Sequence, residues 1–168
     1  MAMKTLLIAM SALAVAGSAA AADAPPAPGM TFAFEETFSL TPPQVVGETP
    51  KGRRQNVQIT GGTFSGPGFS GRVLAGGGDY QLIRPDGAVE IDAEYLLQTD
   101  DGVVVHGRHV GTIVRPKPGA AGNLVTTQTF DAPAGKYGWL NDAVFVSRIA
   151  PAGDRDHPAV KIAVWKVG

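Results

Sequence analysis

Residues 76–112, GGGDYQLIRPDGAVEIDAEYLLQTDDGVVVHGRHVGT, constrain the fold most, because their apolar and polar side chains alternate with period two between Asp86-Gly87 and Asp101-Gly102. Period two is the repeat of a β-strand, and Asp-Gly supplies the positive backbone angles of a tight hairpin turn. The segment predicts three consecutive antiparallel strands. The same period recurs at residues 31–40, 56–60, 63–65, 69–75, 124–130, 143–149 and 160–166, between Gly- and Pro-rich stretches at 47–54, 66–68, 115–122 and 150–158 that read as loops. About nine or ten strands with regular turn signals and no convincing helix predict an all-β, antiparallel sandwich or barrel. A closed barrel is favoured because it leaves no exposed edges.

The N-terminus has a different composition. Lys4, the apolar run 5–15 and the small residues 17–22 have the pattern of a secretory signal cleaved after Ala22, with a Pro-rich leader at 23–30 and one domain at 31–168. The expected location is the periplasm, with no membrane span once the signal is removed. Lys4 is the only charge in the signal, which leaves 13 basic and 15 acidic residues in the remainder. No basic patch suggests nucleic acid. Cysteine is absent, which excludes disulfides and thiolate chemistry. The glycine run GGTFSGPGFSG at 61–71 lacks the Gly-Lys-Ser/Thr of a phosphate loop and no helix pattern follows it, so its glycines read as barrel bends.

Several linked motifs carry a resemblance: GETPKGR at 47–53, GGTFSGP at 61–67, GGGDYQLIRPDG at 76–87, IDAEY at 91–95, TDDG at 99–102 and WLN at 139–141. Together, and in this order over nearly the whole chain after the signal, they resemble the DUF3237 (UPF0311) family. The resemblance implies a calycin- or lipocalin-like antiparallel β-barrel, self-association, and a function not yet assigned. It also implies kinship with relatives that act on lignin-derived aromatic compounds as lyases. The chain departs from the pattern at Glu94, where relatives commonly carry Arg, and at His109, where they often carry Asn.

Hairpin registers align side chains across the strands. With Asp86-Gly87 and Asp101-Gly102 as two-residue loops, Glu94 falls opposite both Asp79 and His109, and Asp92 opposite Gln81. One face then carries Asp79, Gln81, Glu90, Asp92, Glu94 and His109, and the other Tyr80, Val89, Ile91, Tyr95 and Leu97. Two readings stay open. Either the acidic face is solvated exterior, or it lines a polar cavity in which Asp79, Glu94 and His109 form a catalytic acid–base cluster. Candidate ligand contacts are Gln81, Asp92, the aromatic surfaces of Tyr80, Tyr95 and Trp139, and Asn141. His106 and His109 point to opposite faces of one strand, so no metal site is expected, nor any cofactor. The leading expectation is a barrel that binds a small hydrophobic or aromatic molecule. The alternatives are a lyase or isomerase using acid–base catalysis and a structural oligomer of the cell envelope.

Overall fold

The computed structural model describes residues 25–115, 117–118 and 123–168. The expected signal, residues 1–22, lies outside them. Ten strands follow in order: β1 (Met30–Leu40), β2 (Gln44–Thr49), β3 (Gly52–Gly66), β4 (Phe69–Val73), β5 (Gly78–Ile83), β6 (Val89–Thr99), β7 (Val104–Ile113), β8 (Val125–Asp131), β9 (Val144–Gly153) and β10 (Pro158–Val167). A single helical turn, α1 (Trp139–Asp142), precedes β9.

Every pairing is antiparallel, and the circuit β1, β10, β9, β8, β7, β6, β3 closes when β3 returns to β1. The place between β6 and β3 is shared. β4 pairs with residues 62–66 of β3 and 97–99 of β6, and β5 with residues 53–58 of β3 and with β6 towards its start. The result is a closed barrel of eight staves, one of them in two halves, with β2 added as a hairpin on β3.

Three expectations are corrected. Residues 47–54 are not a loop but most of the β2–β3 hairpin, turned by Gly47 and Gly52 at φ 120° and 132°. Residues 150–158 are largely strand, with β9 and β10 paired out to Gly153 and Pro158. The turn α1 has too few residues to leave a periodic signal. Elsewhere the glycine bends act as expected. Gly62 sits so close to the Thr37 carbonyl of β1 that no Cβ fits there.

Large apolar residues fill one end of the barrel. Phe34 meets Phe64, Phe69, Phe130 and Phe145 with ring centroids 4.9–6.5 Å apart in edge-on geometry, and Leu140 of α1 is buried in the same cluster. The Asp101 carboxylate in the β6–β7 turn holds this end by accepting hydrogen bonds from Lys136 Nζ and Tyr137 Oη, each at 2.8 Å. The other end of the barrel is left partly empty.

Candidate functional site

The two Asp-Gly turns set the site, and each adds one residue to the expected loop. Thr99 N–H donates to Val103 O and Gly102 N–H to Thr99 O; Arg84 N–H donates to Ala88 O and Gly87 N–H to Arg84 O. Both loops therefore hold three residues and end on a glycine, at φ 86° for Gly102 and 84° for Gly87, the geometry of a turn closed by a one-residue bulge. Each register moves by one. Ala93, not Glu94, lies opposite both His109 and Asp79, while Glu94 pairs with Arg108 and Gly78.

A one-residue slip reverses the face on which a side chain lies. Because both slips are taken relative to β6, Asp79 and His109 keep a common row but move to the face of Ile91, Ala93 and Tyr95, which is the barrel interior. Asp92 and Glu94 go outside, where Asp92 accepts from Arg108 Nε and Nη2 at 2.8 and 2.9 Å and Glu94 lies 3.9 Å from the same guanidinium. Tyr80 is also external and half exposed. Trp139 and Asn141 belong to α1 at the filled end: Trp139 packs on Phe69 and Phe145, and Asn141 exchanges hydrogen bonds with the Ala132 backbone. Of the expected site residues, Asp79, Gln81, Tyr95 and His109 come together, whereas Glu94, Asp92, Tyr80, Trp139 and Asn141 do not join them.

The four border a cavity of about 190 Å³. Val57, Ile59, Ile91, Ile113, Val160 and Ile162 supply apolar wall, and Arg115 stands among its lining residues. Asp79 is fixed on two sides, its Oδ2 accepting from Gln81 Nε2 at 2.6 Å and its Oδ1 from the Asp92 N–H at 3.1 Å. Gln55 Nε2 donates to Gln81 Oε1 at 2.7 Å and extends the chain. Burial raises the Asp79 pKa above the ordinary carboxylate value, more than these hydrogen bonds lower it.

His109 is buried, with Nε2 at 2.5 Å from Thr126 Oγ1 and 3.2 Å from Ser147 Oγ. Burial lowers its pKa to about 4, so the ring is neutral at pH 7. No hydrogen bond among the described residues engages Nδ1. The interior face of β7 reads Gly107, His109, Gly111, and both glycines make room: the Tyr95 ring occupies the space of a Cβ on residue 107, and Thr126 that of one on residue 111.

Beside the cavity lies a carboxyl the sequence reading did not select. Glu36 of β1 is wholly buried, with Oε2 accepting from Gln128 Nε2 at 2.6 Å and Oε1 lying 3.2 Å from Tyr95 Oη. Gln128 Nε2 is also 3.1 Å from Tyr95 Oη, and its Oε1 is buried without a partner among the described residues. Burial raises the Glu36 pKa to about 8, against the smaller opposite pull of Gln128 and Tyr95, so the neutral acid prevails at pH 7. The signal was its alternation with Phe34 and Phe38, which puts a carboxyl on a core face.

An eight-stave antiparallel barrel, filled at one end and hollow with a few polar groups at the other, defines the class of calycin-like barrels. The chain belongs to the DUF3237 family, described as proteins of unknown function, whose model matches residues 28–167. A UPF0311 protein of Clostridium acetobutylicum is 35% identical over 130 residues, 67% of this chain and 82% of that one. The crystal structure of a conserved protein of unknown function from Rhodopseudomonas palustris matches with a TM-score of 0.77 at 31% identity, covering 86% of this chain and all of that one. A hydroalkoxylation enzyme of Penicillium herquei is 29% identical over 147 residues, 82% of this chain and 83% of that one.

Proposed function

We propose that the barrel binds a small, largely apolar aromatic molecule bearing oxygen substituents and performs acid–base chemistry on it, with Asp79 as the proton-transferring group and His109 as an orienting one. The observation that carries this reading is the row Asp79–Ala93–His109 on the cavity wall. Two strand spacings separate the backbones of Asp79 and His109, about 9–10 Å, and the small Ala93 side chain leaves the space between them for a ligand. A carboxylate with a raised pKa is a better base near neutral pH than an ordinary one, and a neutral imidazole with a free ring nitrogen can hold an oxygen substituent.

Hydroalkoxylation, the addition of an O–H across a C=C bond, suits such a site and supports the reading through the Penicillium relative. For a phenol bearing a conjugated enone, Asp79 takes the phenol proton as the new C–O bond forms. The alkene electron pair moves onto the enone oxygen as an enolate. Asp79 then returns the same proton to the adjacent carbon, so the carboxylate is restored and no co-reactant is needed.

We also propose a periplasmic location, which the composition of residues 1–22 supports. The probe substrate is 1-(2-hydroxyphenyl)but-2-en-1-one, whose uncatalysed closure gives racemic 2-methylchroman-4-one. The expected result is a rate above background with one enantiomer in excess, both lost in Asp79→Asn while the fold is kept. Thermal stabilisation by the probe with racemic product at the background rate would leave a binding protein only. Neither effect would favour a structural envelope protein.

A further inference from the structure

We infer that Tyr95 donates a hydrogen bond from the cavity wall to an acceptor oxygen of the bound molecule, and that Glu36 behind it is the positioning residue that decides where that hydrogen points. The inference rests on the cavity reading above and adds to it the class of atom the ligand must present: a carbonyl or enolate oxygen.

With Gln128 Nε2 facing both Glu36 and Tyr95, the proton count follows. A phenol oxygen accepts at most two hydrogen bonds and donates one. Tyr95 Oη has Gln128 Nε2 at 3.1 Å and Glu36 Oε1 at 3.2 Å. When Glu36 is neutral, its Oε2 is the carbonyl oxygen accepting from Gln128, and its protonated Oε1 donates to Tyr95 Oη. Both acceptor positions of Tyr95 are then filled and its own O–H is released from Glu36; on this inference that hydrogen turns to the cavity, which Tyr95 lines. When Glu36 is ionised it has no hydrogen to give, and the Tyr95 O–H turns back to Oε1. One proton on a buried carboxyl thus moves a donor into or out of the site.

The groups around Glu36 leave no other explanation close by. β6 presents Tyr95, β8 Gln128, β3 Phe64 and β10 Ile162, and the neutral His109 of β7, bonded to Ser147 of β9, is the strand partner of Gln128. No cation is buried there among the described residues. In the reaction proposed above, the Tyr95 hydrogen bond falls on the enolate oxygen, where stabilising developing charge has its largest effect.

The test uses the full chain after signal removal and 4-(dimethylamino)benzaldehyde, a small aromatic aldehyde whose absorption moves to longer wavelength when its carbonyl accepts a hydrogen bond. The parent protein should bind it with the shifted spectrum at pH 6.5 and about tenfold more weakly at pH 9.5, the worth of one hydrogen bond, with a midpoint near the Glu36 pKa of about 8. Tyr95→Phe should bind weakly, without the shift and without the pH dependence. Glu36→Gln should keep tight binding and the shift at every pH, because its amide N–H still donates to Tyr95 and cannot ionise. A pH transition that survives in Glu36→Gln, as titration of Asp79 would give, overturns the inference; so does an unchanged Tyr95→Phe. In the ligand-free protein, the carbon-13 resonance of Tyr95 Cζ should move through the same pH range and stay fixed in Glu36→Gln. A flat resonance in the parent overturns the Glu36–Tyr95 coupling whatever the aldehyde does. A moving resonance with no aldehyde binding overturns the cavity reading, and with it the donor role of Tyr95, while the coupling stands.

Discussion

The Tyr95 ring lies against Gly107 so closely that two of its carbons would be 2.5 and 2.7 Å from a Cβ added there. The phenol can reach Glu36 from β6 only because β7 presents no side chain at that point. Gly107→Ala should displace the ring and lower stability by about 1–3 kcal/mol, the usual range for overpacking. Denaturant unfolding would show it, and the Tyr95 resonance would lose its pH response. An alanine variant as stable as the parent would mean the ring has another seat.

Glu36 should cost the protein stability as pH rises. Its pKa is about 8 in the folded state against an ordinary 4.5, so its contribution is complete below pH 4.5 and declines until the pH passes 8. Glu36→Gln should therefore be more stable than the parent at pH 7, by about 2–4 kcal/mol, and nearly equal to it at pH 4.5. Urea midpoints at the two pH values measure the difference. An equal loss at both would show that the carboxylate itself is required.

His109 works in the opposite direction. A ring whose pKa falls from 6.5 to about 4 on folding gives stability that is present above pH 6.5 and lost as the pH drops towards 4. Between pH 6.5 and 4, the stability difference between His109→Gln and the parent should move in favour of the variant by about 2–3 kcal/mol. A difference independent of pH would place the ring charge elsewhere.

The Asp101 carboxylate, held well below the usual range by Lys136, Thr99 and Tyr137, ties the β6–β7 turn to the segment before α1. Its contribution is present above the ordinary carboxylate pKa and lost as pH falls below it. Asp101→Asn should lower the thermal midpoint at pH 7 and leave binding of the aldehyde unchanged, since the turn is at the filled end. Loss of binding in this variant would show that the two ends are coupled.

Glu94→Gln provides a contrast. The side chain is outside the barrel, 3.9 Å from Arg108, and exposed pairs of this kind contribute little. Turnover, aldehyde affinity and melting point should all match the parent within error. Lost turnover with an intact fold would return Glu94 to the site.

The strands and the closed barrel were legible because side-chain alternation reports directly on which residues face a core. Residue-level placement depended on whether Asp-Gly closes as a two- or three-residue loop, and the dipeptide serves both. That single ambiguity grouped Asp79 and His109 with Asp92 and Glu94 instead of with Ile91, Ala93 and Tyr95, yet left Asp79 and His109 in one row, because the same error occurred on both sides of β6. Glu36 was visible in the alternation Phe34, Glu36, Phe38, but its partners Tyr95 and Gln128 come from distant strands, and no local pattern announces a buried carboxyl that three strands must satisfy together. Trp139 and Asn141 were drawn into the site by their motif, whereas their seat in a single helical turn depends on packing at the filled end.

The bond from the Asp92 N–H to Asp79 Oδ1 gives the wall a rivet: between Asp79 and Leu82 the β5–β6 ladder is interrupted, and a side chain does the joining. The amide proton of a residue whose side chain points outward is thereby wired to the carboxylate inside. Its chemical shift is a built-in reporter of the charge on Asp79, readable by NMR without touching the cavity.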